Sequence, residues 1–380
     1  AFAFPPAGTA CEHLPPAAPE TEHRDFTCPS WAWENPAVYT HAGNINAVCQ
    51  YWKTQGLEPT ALLLDYETGV YLRNGAENRD RLTRAWKEAR KCPRCIERFG
   101  ADGMDSLEKY RDICDRARAH STKVGFVDPA RQVFPDVPIG NYYAWPIRRT
   151  NVDKDRLPGY GYEGSGMDVP QPRCYFIPGW RGGRNQDRVN WGVFQYCIDR
   201  FSRCGSVLKE GEIMVPWVGY LWGHGVALRK AEAGCPIAQG DAYREMAIHT
   251  MLRGAETIAI FTPGNFNREL PEAYAKMDRR ELGAVMLNVL DIQQGYDDVL
   301  QFNDLLRKGK PITFEVPPID TPGPVYSGVA TDDEAIVRTV TFGEPTVKAV
   351  EVLGHKIDLP FKHRGQFFRI DKAGGVTPIE

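Results

Sequence analysis

The chain has 380 residues, room for one barrel-sized domain and a small accessory domain. Its 46 basic and 49 acidic residues nearly cancel, so no basic stripe argues for a nucleic-acid partner and no charged tail for an acidic or basic one. Mean hydropathy is −0.42 and no apolar run approaches spanning length, so no membrane segment is expected.

In chain order, the first 40 residues are rich in Pro, Ala, His and Trp, with possible short strands at residues 1–4 and 26–33. A helix is expected over 44–54. The apolar run Ala61-Leu62-Leu63-Leu64 then reads as a buried strand that ends in Asp65-Tyr66-Glu67. A long charged amphipathic helix follows over 78–99, and another over 106–120 with Ser106 as N-cap. Asp128-Pro129 reads as an N-cap with Pro at the first helical position, and residues 137–143 as the next strand. After an irregular stretch over 146–172, strands are expected at 173–178, 213–218 and 256–261. Helices are expected at 187–204, 241–253 and 271–290. This alternation predicts an α/β fold, a (β/α)8 TIM-type barrel over residues 1–308. From Pro311 the texture changes to short alternating runs at 312–316, 325–330, 335–342, 347–353 and 366–370. They predict a small C-terminal antiparallel β-sandwich over residues 309–380.

The strand into Asp65 carries the chemistry. Side chains alternate across a strand, so Leu63, Asp65 and Glu67 share one face, and Leu62, Leu64 and Tyr66 the other. With helices over the second face, both acids stand at the carboxyl end of the strand, where α/β sheets place their sites. Two acids on one wall repel, which separates their affinities for a proton and suits glycoside hydrolysis. The competing reading is a pair of loop-facing surface charges. Asp65 and Glu67 are the expected catalytic pair.

Other expected strand ends supply aromatic and polar groups. Asn141, Tyr142, Trp145, Trp180, Trp217, Trp222 and His224 are the candidate substrate-binding residues, with rings for sugar faces and amide or hydroxyl groups for sugar hydroxyls. Taken singly, each is better explained by core filling, and a lone histidine more often serves structure. Gly159-Tyr160-Gly161-Tyr162-Glu163-Gly164 fits the letters of a dinucleotide loop, but no strand precedes it; a lid or solvent loop fits better. Nucleophile-elbow, P-loop and zincin motifs do not occur.

Ten cysteines, an even number, permit disulfides and a secreted or periplasmic location. Cys92-Pro93-Arg94-Cys95 is the single close pair, and only Cys114 lies near it in sequence, so neither a metal nor a cofactor is expected.

Leu63-Leu64-Asp65-Tyr66-Glu67 resembles the strand-end acid motif of TIM-barrel glycoside hydrolases of the chitinase, hyaluronidase and lysozyme-like kinds. Ile139-Gly140-Asn141-Tyr142-Tyr143 resembles the strand that follows the acids in the hyaluronidase-like and lysozyme-like barrels. The longer acidic signature that chitinases carry upstream of the pair is missing before Asp65. The resemblance implies a glycosidase acting on a carbohydrate. The alternatives are a catalytically inactive carbohydrate-binding barrel, and a sugar lyase or isomerase on the same scaffold.

Overall fold

A computed structural model describes residues 28–64, 79–142, 144–146, 161–176, 185–220, 238, 241–261 and 279–379. The chain divides into two compact units, Ala1–Gln171 with Lys209–Ile213, and Pro172–Leu208 with Met214–Glu380.

In the first unit a 3-10 turn, Pro29–Trp33, leads into α1 (Pro36–Thr54). Asn35 caps α1 by accepting from Ala37 N at 3.1 Å, and Pro36 fills its first position. The helix therefore starts earlier than the expected residue 44. Val38, His41, Ile45 and Cys49 form its buried face at helical spacing. Strand β1 (Leu62–Leu64) follows. The long helix expected over 78–99 is broken in two, α2 (Arg79–Ala89) and α3 (Pro93–Phe99). Pro93 cannot donate to a continuing helix, and Cys92 before it is extended. Helix α4 (Leu107–Thr122) begins as expected, with Ser106 accepting from Lys109 N at 3.2 Å. It runs through a π-helical turn, Lys123–Val127, into α5 (Asp128–Arg131), so Asp128 continues a helix instead of capping one. Strand β2 (Ile139–Asn141) pairs parallel with β1, Leu62 to Ile139 and Leu64 to Asn141.

The second unit holds β3 (Arg173–Phe176), α6 (Gln186–Gly205), β4 (Trp217–Tyr220), α7 (Asp241–Met251) and β5 (Ala259–Phe261). The strands pair parallel in the order β3-β4-β5, each step crossed by a helix. Helix α8 (Arg279–Leu300) packs on α7, where Gly295 permits close approach: a Cβ there would stand 2.5 Å from Arg244 O. A short helix, α9 (Asn303–Lys308), precedes the C-terminal strands.

Seven strands close the chain: β6 (Lys310–Pro311), β7 (Pro324–Ala330), β8 (Glu334–Thr341), β9 (Thr346–Val352), β10 (His355–Phe361), β11 (Gln366–Asp371) and β12 (Val376–Ile379). All pairs are antiparallel, in a five-stranded sheet β12-β11-β8-β7-β6 and a β9–β10 hairpin. Ala335, Val337, Phe368 and Ile370 of the sheet meet Val350, Val352, Ile357, Leu359 and Phe361 of the hairpin in one apolar cluster. Strand β8 is buried on both faces, its odd-numbered residues 335 and 337 toward the hairpin and Arg338 toward α7.

The architecture is thus mixed, with parallel βα units followed by an antiparallel C-terminal sheet. The expected (β/α)8 closure is not seen: five parallel strands lie in two sheets, and no closed barrel forms among the described residues. Leu63, on the face expected to look into the barrel, is 43% exposed, whereas Leu62 and Leu64 are buried. The alternation along β1 follows the sequence; the enclosure does not.

Candidate functional site

The best-defined strand end is that of β1 and β2. Leu64 lies opposite Asn141, and Tyr142 N donates to Leu64 O at 2.7 Å, so both strands finish side by side. The expected catalytic acids, Asp65 and Glu67, lie outside the described residues, as do Tyr143, Trp180, Trp222 and His224. Asn141, Tyr142 and Trp145 are gathered at this end. Asn141 is fully buried, Tyr142 is 4% exposed and Trp145 is 7% exposed. Their rings are packed, not presented to solvent. Ala144 N donates to Asn141 O at 2.9 Å and Gln171 N to Ala144 O at 2.8 Å, which ties the turn after β2 to the chain that bridges Gly140 at Val169. Gly140 itself answers that approach, since a Cβ would lie 2.4 Å from Val169 O. The glycine of Ile139-Gly140-Asn141 is a packing requirement.

Trp217 belongs to the second unit and is half-buried. The sequence placed it near the end of a strand over 213–218; the parallel ladder instead begins at Trp217, which pairs with Arg173 and Ala259. Pro216 has no N–H to contribute, so regular pairing starts one residue later. Trp217 therefore marks the amino end of its strand.

A cleft of about 620 Å³ opens in the first unit between Tyr162–Asp168 and Lys209–Glu212, with Lys123 at its side. Glu163, Lys209, Glu212 and Asp168 are already engaged. Glu163 pairs with Lys209 at 3.1 Å, Tyr162 donates to Glu212 Oε1 at 3.0 Å, and Lys209 N donates to Glu212 Oε2 at 2.8 Å. Asp168 accepts from Ile139 N at 2.6 Å and from Arg131 Nη2 at 2.8 Å. The cleft thus flanks the amino end of β2, opposite to Asn141. The described part of the glycine-rich loop is pinned, with Gly161 N donating to Asp115 Oδ1 at 2.7 Å and Tyr162 buried, so it is packed chain and not the expected lid or solvent loop.

Sequence reading missed a polar cluster in the second unit. Glu245, His249 and Arg253 recur every four residues along α7 and its carboxyl-terminal turn, and so share one face. His249 Nδ1 lies 2.7 Å from Ser327 Oγ, and Glu245 takes a two-pronged contact from Arg338, with Nε to Oε2 at 3.0 Å. Arg253 donates to Ser327 Oγ at 2.7 Å, to Ser202 Oγ at 2.6 Å and to the carbonyls of Glu315 and Tyr326 at 2.9 Å. Ser327 Oγ thus accepts from Arg253 and shares a hydrogen bond with His249 Nδ1, while His249 Nε2 lies 3.6 Å from Glu245 Oε2. A serine, a histidine and a carboxylate in this order resemble a nucleophilic triad. All three are buried, and Ser327 is held as an acceptor by a cation, so the cluster is a polar latch between α7 and the C-terminal sheet.

Its electrostatics follow from burial. Desolvation lowers His249 to about 4; the neighbouring Glu245 carboxylate opposes this, while Arg253 and Arg338 reinforce it. Burial alone would raise the Glu245 carboxyl, but the contacts from His249 and Arg338 outweigh it and hold the acid below its ordinary value. Unfolded His249 regains its usual value of 6.5, so between pH 6.5 and 4 the unfolded chain binds the extra proton. Stability contributed by neutral His249 is full above that window and should fall by about 3 kcal/mol across it as pH drops. His249→Gln should show a correspondingly shallower loss in urea melts at stepped pH; an unchanged slope would place the acid sensitivity elsewhere.

No family model and no curated protein matches the chain. Among solved structures it is similar to the exo-beta-1,4-mannosidase Op5Man5 from Opitutaceae bacterium strain TAV5, at a TM-score of 0.34 and 11% identity, covering 76% of this chain. The chain spans 45% of that protein's length.

Proposed function

We propose that the chain is a glycoside hydrolase acting on a polysaccharide or oligosaccharide. In this reading Glu67 is the general acid/base, and Asp65 orients it, stabilises positive charge on the sugar, or attacks as nucleophile. The supporting observation is the parallel β1–β2 pair: Leu62 and Leu64 are buried, Leu63 is turned outward, β1 ends opposite Asn141, and Asp65-Tyr66-Glu67 follow it in sequence. Acids at alternate positions of such a strand share the outward face. The reading extends to a (β/α)8 barrel over residues 1–308 with an accessory sandwich over 309–380, to Trp180, Trp222 and His224 as further sugar contacts, and to a secreted or periplasmic location.

The test is a screen of polysaccharides with product analysis by mass. Hydrolysis yields fragments that together carry one added water. Elimination yields fragments that sum to the substrate, which would identify a lyase. Tight glycan binding without any product would identify a binding barrel.

A further inference from the structure

Three cysteines distant in sequence converge in the first unit. Cys28 stands just before the Pro29–Trp33 turn, Cys92 just before α3, and Cys95 in the first turn of α3. Cys28 Sγ is 3.7 Å from Cys92 Sγ and 3.3 Å from Cys95 Sγ, and all three sulfurs lie within 4.8 Å of one another. These separations are well beyond an S–S bond of about 2.05 Å, and no disulfide joins any pair of the described cysteines. Sulfurs set tetrahedrally about 2.3 Å from a zinc ion stand about 3.8 Å apart, close to the 3.7 and 3.3 Å separations seen here.

We propose that Cys28, Cys92 and Cys95 hold a structural zinc ion as thiolates, with Cys114 as the fourth ligand. Cys114 is fully buried on α4, the helix that packs on the Pro29–Trp33 turn. The backbone reason for the site is Pro93. By ending α2 and starting α3 it turns Cys92 and Cys95 toward one point, whereas an unbroken helix would carry them past it. Each thiol gives up its proton on binding, so four thiolates and one Zn²⁺ leave a net charge of −2. Arg94, between the paired cysteines, and Arg98 lie over Trp31 and Trp33 at 4.7 and 5.2 Å and share Glu34 as ion-pair partner.

A redox role fits less well. An exchanging thiol must be reachable, yet Cys28, Cys92, Cys95 and Cys114 are each at most 1% exposed. Full enclosure with sulfur ligands only is the pattern of a zinc site that holds a fold together, here joining the turn before α1, α3 and α4.

The test uses the full chain, purified under reducing conditions and analysed for metal. About one zinc per chain is expected. After stripping with a chelator, cobalt(II) added alone should give the visible absorption of a tetrahedral thiolate site, displaced by zinc. Stripping should also lower the melting temperature, and added zinc should restore it. Cys28→Ser, Cys92→Ser and Cys95→Ser should each lose the metal, whereas Cys49→Ser, which lies outside the cluster, should keep it. Cys114→Ser should shift the cobalt spectrum, as a change of ligand requires; an unaltered spectrum overturns the fourth assignment. The wild-type measurements stand alone, so the test holds even where a variant folds poorly. A wild-type chain that carries no zinc and takes up no cobalt when reduced, or one whose peptide map shows a Cys28–Cys95 or Cys92–Cys95 disulfide in its place, overturns the proposal.

Discussion

Glu245→Met alone should destabilise the protein by about 3–5 kcal/mol, and Arg338→Met alone by a similar amount. Each leaves the other charge buried: Glu245 is 3% and Arg338 6% exposed at the side chain. The guanidinium has few other partners, since its outer face lies over the Phe367 ring at 4.6 Å. Glu245→Met/Arg338→Met should recover most of the loss, because two packed apolar side chains carry no desolvation penalty. Urea melts of the four proteins give the coupling directly, expected on the order of 3 kcal/mol. Additive losses would mean that the two groups act separately, contrary to their geometry. Gly365 offers an independent check. A Cβ there would lie 2.6 Å from both Arg338 Nε and Glu245 Oε1, so Gly365→Ala should push the pair apart and move stability in the same direction.

This cluster also shows where the sequence stops being readable. The repeat of Glu245, His249 and Arg253 is visible as helical spacing, but their partners are not. Strand β8 is buried on both faces, so the apolar neighbours Val337 and Thr339–Val340 hide which side Arg338 takes. The cysteine cluster was hidden by separation, because Cys28 precedes Cys92 by 64 positions and only packing brings them together. Other features could be read locally. Ser106 and Asn185 cap α4 and α6 through their own side chains, accepting from Lys109 N and Arg188 N, because capping is a contact between near neighbours. Asn35-Pro36 and Cys92-Pro93 were equally local signals for a helix start and a helix break, and amphipathic periodicity masked both. The hairpin of β9 and β10 is hard to read because its two-residue turn is Leu353-Gly354, with φ of 53° and 78°. Asn usually takes the first of these positions, where Leu is strained, and Leu353 holds it by packing against the apolar cluster of the two layers. At the strand ends, the alternation of Leu62, Leu63 and Leu64 was legible, whereas the backbone ties from residues 169–171 to Ile139, Gly140 and Ala144 come from chain that no local pattern announces.

On the glycosidase reading, Glu67→Gln and Asp65→Asn should each lower turnover by about 10²–10⁴-fold on the polysaccharide that the screen identifies. Both amides keep the shape of the acids, so the melting temperature should stay near wild type. The two losses should differ in kind. Glu67→Gln removes the proton that the departing sugar needs, and a substrate with an activated leaving group dispenses with that proton, so its turnover should recover in part. Asp65→Asn should recover nothing on that substrate if Asp65 is the nucleophile, and the Glu67→Gln protein should then accumulate a covalent sugar adduct visible by mass. If Asp65 only orients Glu67, no adduct forms and Asp65→Asn recovers alongside it. Removing one acid also relieves the repulsion between two carboxylates on one strand face, so the pH limb belonging to the surviving acid should move downward in either variant. Full activity of both variants would remove the pair from the chemistry and leave the outward face of β1 with a structural role.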